Sequence, residues 1–374
     1  MSSTIHSVAA AQVSTPSVNP ALFRAFYAPA AARDAALADP LTLAVFGFSA
    51  PAPASDDPRW LCVPLAEQGP AQIEVWQGAT PVRHGVRAGV RWSANDTVLF
   101  GAIEIDEVED DIESAAADAY SQLSGFLADC GYPHLLRTWN YLDAVTEGEG
   151  DQERYRRFCV GRVRGLRELD EAALPAATCI GRFDGVRRLQ VYWLAAREPG
   201  LPLENPRQVS AFRYPRQYGP QSPSFSRALL PPTATGLPLL QSGTAAIVGH
   251  VSQHTGSVAE QLDETLTNLQ SLVDAARLQR PELPATLGAG SLLKVYVRRA
   301  EDLPAIAARM AGLPGSPAFV VLHAEVCRAE LLVEIEGLHG PGGRPGGGPP
   351  GPAQGSGGRA GPGAGNPGPP PPVA

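Results

Sequence analysis

Residues 317–337 read PAFVVLHAEVCRAELLVEIEG, an apolar run interrupted by a cysteine and two alternating carboxylates. In its last seven residues, LLVEIEG, the period-two geometry of a strand places Leu332, Glu334 and Glu336 on one face and Leu331, Val333 and Ile335 on the other. The second set is wholly apolar and predicts a packed sheet face. A carboxylate on so hydrophobic a strand points either to water, the common case for a half-buried sheet, or into a cleft. In a cleft, partial desolvation raises its pKa and makes it a usable proton donor.

Upstream of this strand, QSGTAAIVGHV (241–251) reads as a further strand. Ser257 with Glu260 three residues later is a capping box, and it opens a helix with Val258, Leu262, Leu266, Leu269 and Val273 on one face. LLKVYVRR predicts the next strand, Pro304 to Met310 a short helix, and FVVLHAEV another strand. The first half has a similar order. WLCVPL, QIEVWQG and TVLFGAIEI alternate with turn-prone residues and predict strands from Trp60 to about Ile105. Acids at Asp110, Asp111 and Glu113 precede Ile112, Ala116, Ala119, Leu123 and Phe126 at helical spacing, so 110–129 is an amphipathic helix. HLLRTWNYL is then a strand, RYRRFCVGR a helix or loop, and RRLQVYWLAA a strand, with PAAT at 175–178 read as a break. Residues 1–60, rich in Ala, Pro and Ser, show weak periodicity and are read as irregular around PAPASDDP, with no chemistry assigned. Two halves with one order of elements predict an α/β (α+β) pseudo-duplication. The last stretch, PGGRPGGGPPGPAQGSGGRAGPGAGNPGPPPP, lacks a strict glycine every third residue and apolar bulk, and is expected to be a disordered tail rather than collagen.

Composition narrows the function. With 374 residues, 44% hydrophobic and 18% charged, the chain can bury two cores. No run reaches membrane-spanning length and the N-terminus shows no signal-peptide pattern, so a cytoplasmic protein is expected. Cys62, Cys130, Cys159, Cys179 and Cys327 are odd in number and lack a C-x-x-C pair, which predicts reduced thiols rather than a disulfide framework or a zinc site. A net charge of −8 without a basic cluster gives no footprint for nucleic acid or an anionic membrane, and directs attention to a small-molecule partner. Lys294 is the sole lysine, so the other fixed cations are arginines, suited to bidentate binding of carboxylates. His250 and His254 sit at i,i+4, but no third ligand accompanies them, and they are read as structural or pocket-lining. No metal or cofactor is expected.

Residues 241–337 resemble the reactive-intermediate deaminase (YjgF-like) fold, with SGTAAIVG, AEQLDETLTNLQSLVDAA, KVYV and LLVEIEG in that order. That family holds a substrate carboxylate with an arginine about fifteen residues before the first glutamate of the VEIE-type strand. Phe319 stands there in this chain, a departure that argues against imine deamination. The chain more closely resembles the chorismatases, which join a divergent first half to such a module. The matching motifs are RTWNYL (137–142), ERYRRFCVGR (153–162), LPAATCIG (174–181), SAFRYPRQYGPQSPSFSRA (210–228), SGTAAIVGHVSQHTG (242–256) and CRAELLVEIEG.

This resemblance implies two pseudo-repeated YjgF-like sheet-and-helix halves, a divergent domain over 1–200 and a second over 201–340 that carries the catalytic strand, followed by a tail over 341–374. It implies cleavage of chorismate, a cyclohexadiene with a ring carboxylate, a C4 hydroxyl and an enolpyruvyl ether at C3. Such chemistry needs a proton donor for the enolpyruvyl methylene, for which the resemblance selects Glu334 over Glu336. It also needs carboxylate anchors, for which Arg162 and Arg298 are the candidates, while Tyr155 and Tyr214 are candidate hydrogen-bond donors. A cysteine seven residues before the glutamate, here Cys327, resembles the type forming 3-hydroxybenzoate and pyruvate, in which the thiol assists opening of an arene-oxide intermediate. The alternatives are hydrolysis to 3,4-dihydroxycyclohexa-1,5-diene carboxylate, and a non-catalytic YjgF-like metabolite-binding protein. Single-module relatives form trimers, but fused halves can satisfy part of that interface internally, so the oligomeric state stays open.

Overall fold

Short runs of β-branched and aromatic residues pair into three main sheets in the computed structural model, which describes residues 23–48, 55–166 and 170–341. The N-terminal part holds strands β1 (Phe23–Pro29), β2 (Thr42–Gly47), β3 (Trp60–Cys62), β4 (Ala66–Glu67) and β5 (Gln72–Gly78), with a short helix α1 (Arg33–Ala38). Four of them form a sheet of order β1-β5-β2-β3. Strands and a helix thus occupy a stretch whose periodicity is weak in the sequence, while residues 55–58, the described half of PAPASDDP, are coil and turn as expected. Leu43, Ala44, Val45 and Phe46 in β2 are buried on both faces, so no polar alternation marks the strand in the sequence. The first half of PAPASDDP and the C-terminal tail lie outside the described residues.

The second sheet contains β6 (Arg83–Arg87), β7 (Val90–Ala94), β8 (Val98–Asp106), β9 (His134–Asp143), β10 (Ala176–Arg182) and β11 (Arg188–Ala196), in the order β10-β9-β11-β8-β7-β6. Helices α2 (Ile112–Cys130) and α3 (Arg154–Leu166) cover it. The Asp111 side chain caps α2 by accepting from the Glu113 and Ser114 amides. RYRRFCVGR resolves as helix, and its glycine has a packing reason: a Cβ on Gly161 would lie 2.0 Å from the Glu113 carbonyl oxygen of α2. PAAT does not break the structure. Pro175 precedes the first residue of β10, where its missing N–H removes nothing from the ladder.

The third sheet has the order β12-β13-β14-β19-β17-β18-β4, with β12 (Leu201–Leu203), β13 (Ala228–Leu230), β14 (Leu239–Ala245), β17 (Ser291–Val297), β18 (Ala318–His323) and β19 (Val333–His339). β4, from the N-terminal part, completes its edge beside β18. α4 (Val258–Gln279) is capped by Ser257, whose hydroxyl accepts from the Glu260 amide, and α5 (Leu303–Ala311) has Pro304 in its first turn. The strand expected over 241–251 ends at Ala245. Beyond it a hairpin of β15 (Ile247–Val248) and β16 (Val251–Ser252) turns at Gly249, whose φ of +61° suits glycine.

With the β15–β16 hairpin set aside as an insertion, the order β13-β14-α4-β17-α5-β18-β19 parallels β7-β8-α2-β9-α3-β10-β11. In both, the second pair of strands runs parallel (β9 with β10, β17 with β18) and the last strand lies antiparallel between its neighbours. Val333 and Ile335 pack with α4 and α5 residues such as Leu262 and Ile306. The opposite faces of all three sheets share one core, which includes Phe46, Trp76, Trp139, Tyr192, Tyr296 and Leu338. Glu334 and Glu336 therefore face the interior rather than water. Among the described residues no helix is long and apolar enough to cross a membrane.

Candidate active site

Where the third sheet meets the edge of the second, a cleft of about 350 Å³ opens, and Glu334, Cys327, Tyr155 and Tyr214 line it. Its volume is within the range of small-ligand sites. Glu334 comes from β19, Tyr155 from the first turn of α3, and Cys327 from the loop between β18 and β19. That loop is joined to the first half: Glu325 and Gly181 exchange backbone hydrogen bonds of 2.8 and 2.9 Å. Opposite Glu334 the register of β14 shifts between Gln241 and Thr244. Gly243 sits in this bulge, and a Cβ there would lie 2.1 Å from Glu334 Oε1.

The two glutamates of β19 differ in their partners. Glu336 is 1% exposed and saturated. It pairs with Arg137 Nη2 at 2.5 Å and Lys294 Nζ at 3.1 Å, and accepts from Tyr296 Oη at 2.9 Å and from the Thr178 hydroxyl. Burial pushes its pKa upward, but the Lys294 ammonium, then Arg137 and the hydroxyl donors, hold it below the usual carboxylate value. Glu334 is 5% exposed, and its carboxyl ends in the cleft. Burial, followed by repulsion from Glu336, pushes its pKa up to about 8, against the pull of Arg137, Arg227 and Arg298. Two neighbouring carboxyls are thus driven apart, one ionised and one protonated at neutral pH.

Cys327 is half-buried, and burial, reinforced by Glu334, pushes its thiol up to about 12. It is a neutral S–H at any physiological pH, a proton donor rather than a standing thiolate. Burial likewise holds the Tyr155 hydroxyl well above its ordinary value, so that it stays a donor. Tyr214 Oη accepts from Arg227 Nη2 at 2.7 Å.

The two arginines singled out from sequence do not line the open cleft. Arg162 is 3% exposed, its guanidinium lies over the Tyr120 ring, and its one hydrogen bond is a long one of 3.4 Å to the Thr138 hydroxyl. Among the described residues no carboxylate pairs with it, and its Nε has no partner. Its field reaches Cys159 and Cys179, and Cys179 in turn lies within reach of Glu334 and Cys327. Arg162 thus acts on the thiol beside Glu334 and Cys327 rather than from the cleft wall. Arg298 is committed elsewhere: it donates to the carbonyls of Leu331 (2.9 Å), Val326 (2.5 Å) and Arg328 (2.9 Å) and pairs with Glu325 at 3.3 Å. It clamps the Cys327 loop, and the reading of it as a direct anchor is corrected accordingly.

Arg227 and Arg328, overlooked in the sequence, do line the cleft. Arg328 lies 4.0 Å from the Tyr218 ring centroid and donates to the His250 carbonyl and the Ser252 hydroxyl. Both lie inside quoted motifs, FSRA and CRAE, but no spacing rule separates a pocket arginine from the many others. Lys294 and Tyr296 were findable: the same alternation that pairs Glu334 with Glu336 places them on one face of KVYV. Register sets Lys294 opposite Glu336 and Tyr296 opposite Glu334. His250 Nδ1 meets Tyr218 Oη at 3.1 Å at the rim, while His254 lies 3.5 Å from Glu264.

Known proteins share this arrangement of chain. The family model described as chorismatase FkbO/Hyg5-like, N-terminal, matches residues 74–195. A chorismatase of Streptomyces rapamycinicus is 39% identical over 274 residues, covering 71% of this chain and 81% of that protein. A 3-hydroxybenzoate synthase of Streptomyces hygroscopicus is 35% identical over 277 residues, covering 71% and 80% respectively. A chorismatase crystal structure superposes with a TM-score of 0.75 at 34% identity, covering 85% of this chain and 98% of its own.

Proposed function

This chain belongs to the chorismatase family, and from that membership we propose that it is an enzyme cleaving chorismate to 3-hydroxybenzoate and pyruvate. The observation that carries the mechanism is a carboxyl, Glu334, kept protonated up to about pH 8 inside an arginine-lined cleft. Glu334 gives its proton to the enolpyruvyl methylene, which creates oxocarbenium character and weakens the ether bond to C3. The C4 hydroxyl attacks C3, pyruvate leaves with the ether oxygen, and the hydroxyl proton returns to the Glu334 carboxylate. The resulting arene oxide opens when the Cys327 S–H protonates its oxygen as the bond to C4 breaks. The thiolate so formed takes the proton from the ring, which becomes aromatic. Atoms balance without added water, since chorismate has the composition of the two products together.

Arg162 supports the anchoring reading by what it lacks. A buried guanidinium without an anion is costly, and a substrate carboxylate brought within its reach supplies one. Arg227, with Tyr214 fixed on it, and Arg328 offer a second carboxylate site nearer the mouth, and Tyr155 donates to the ether or ring oxygens. Arg298 acts by holding the Cys327 loop.

The two halves, taken as 1–200 and 201–340, are read as divergent copies of one YjgF-like unit. The matching strand and helix order supports this. Phe319, half-buried against the apolar layer under α4 and α5, leaves the deaminase anchor position without a cation.

The test is mass-spectrometric identification of products from purified protein and chorismate in heavy-oxygen water. Unlabelled 3-hydroxybenzoate with pyruvate is expected. A ring diol, labelled by attack of water at C3 or unlabelled by attack at the oxocarbenium carbon, would replace this reading with the hydrolytic one, and binding without turnover would make the chain a metabolite-binding member of the family.

A further inference from the structure

Lys294, the sole lysine of the chain, is 4% exposed and lies between two carboxylates from different sheets. Its Nζ is 2.8 Å from Glu74 Oε2 on β5 and 3.1 Å from Glu336 Oε1 on β19. The other Glu74 oxygen accepts from Trp76 Nε1 at 2.8 Å, so the N-terminal carboxylate is fixed at both ends. The rings of Phe46, Phe48 and Trp139 surround the ammonium. Burial opposes the charge on Lys294, yet the two carboxylates hold its pKa well above the usual lysine value. A strand of the first sheet, β5, thus delivers one buried negative charge to the far side of the acid's neighbour.

We propose that Glu74 and Lys294 are positioning residues for the reaction: by sharing the ammonium with Glu336, Glu74 sets how much negative charge Glu336 presents to Glu334. The inference rests on Glu334 being the acid. The other groups facing Glu334 are Arg137 on β9, Arg227 before β13, Arg298 after β17, Cys327 on its loop, Tyr155 on α3 and Cys179 on β10. Within this set, Glu336 is the neighbour that favours protonation of Glu334 most strongly. Without Glu74, Lys294 turns wholly to Glu336 and cancels more of its charge, which favours ionised Glu334. Without both Glu74 and Lys294, Glu336 keeps Arg137, Thr178 and Tyr296 and its charge is less cancelled, which favours protonated Glu334.

The experiment is the pH profile of kcat for Glu74→Gln and for Glu74→Gln combined with Lys294→Met, alongside 13C NMR titration of the Glu334 carboxyl, assigned by its loss in Glu334→Gln. The alkaline limb and the titration midpoint are expected to fall by about 0.5–1 pH unit in the single variant and to rise above the wild-type position in the double variant. A structural role alone predicts loss of stability without movement of either midpoint. Both midpoints unchanged in every folded variant would overturn the proposal. If Glu74→Gln does not fold, the double variant, in which no buried ion is left unpaired at this point, reads the effect by a rise, and an unchanged midpoint there overturns it. If the NMR midpoints move as stated but chorismate is not turned over, the assigned reaction fails while the charge coupling stands.

Discussion

Glu334 and Glu336 leave the same face of one strand two residues apart, roughly 7 Å along the chain, yet they occupy opposite electrostatic worlds. Around Glu336, cations and hydroxyls from β9, β10 and β17 converge within hydrogen-bond distance. Around Glu334, the arginines act from a distance, and the cleft replaces the donors. The difference teaches that a buried carboxyl becomes an acid by being denied partners, while its neighbour takes them.

Removing the proton is the strongest way to break this contrast. Glu334→Gln keeps the shape and the hydrogen-bonding capacity but not the acid, so kcat is expected to fall by about 10²–10⁴-fold while binding of a chorismate-like diacid persists. Near-normal turnover measured by pyruvate release would sink the assignment. Next in size is the buried cation that no carboxylate pairs with among the described residues, Arg162. Arg162→Ala removes the anchor for one carboxylate and is expected to weaken substrate binding by about 2–3 kcal/mol, read as a raised KM or directly by calorimetry. Unchanged kinetic constants would return Arg162 to a purely structural place under Tyr120.

The pH dependence sharpens the contrast without a mutation. Turnover requires protonated Glu334, so activity is present below its folded pKa of about 8 and lost as pH rises through it. The alkaline limb of kcat should therefore have its midpoint near pH 8. A limb near 4.5, the value of an unperturbed carboxyl, would show that Glu334 does not feel Glu336 or its burial. The smallest effect concerns product rather than rate. Cys327→Ala is expected to lower kcat several-fold and shift part of the product to the dihydroxycyclohexadienoate, because a methyl group has no proton to give. If that variant makes 3-hydroxybenzoate as fast as wild type, the thiol only packs the loop.

The period of LLVEIEG, the capped helices and the order of elements were legible in the sequence because each rests on local geometry: side-chain alternation, a hydroxyl three residues from an amide, an apolar stripe. The β2 strand was not, since burial on both faces erases alternation. Glu334, Cys327, Tyr155 and Tyr214 line one cleft. Arg298 does not, because the carbonyls of a loop some thirty residues further along the chain claim its guanidinium. Sequence by itself determined which face of β19 holds two carboxylates, and that the chain has one lysine and arginines for its other fixed cations. Only the tertiary structure decided which carboxylate is ionised. That depends on Arg137, Thr178 and Lys294 meeting Glu336 across two sheets, and Coulomb energies at a few ångströms in a dry interior depend on distance and not on position in the chain.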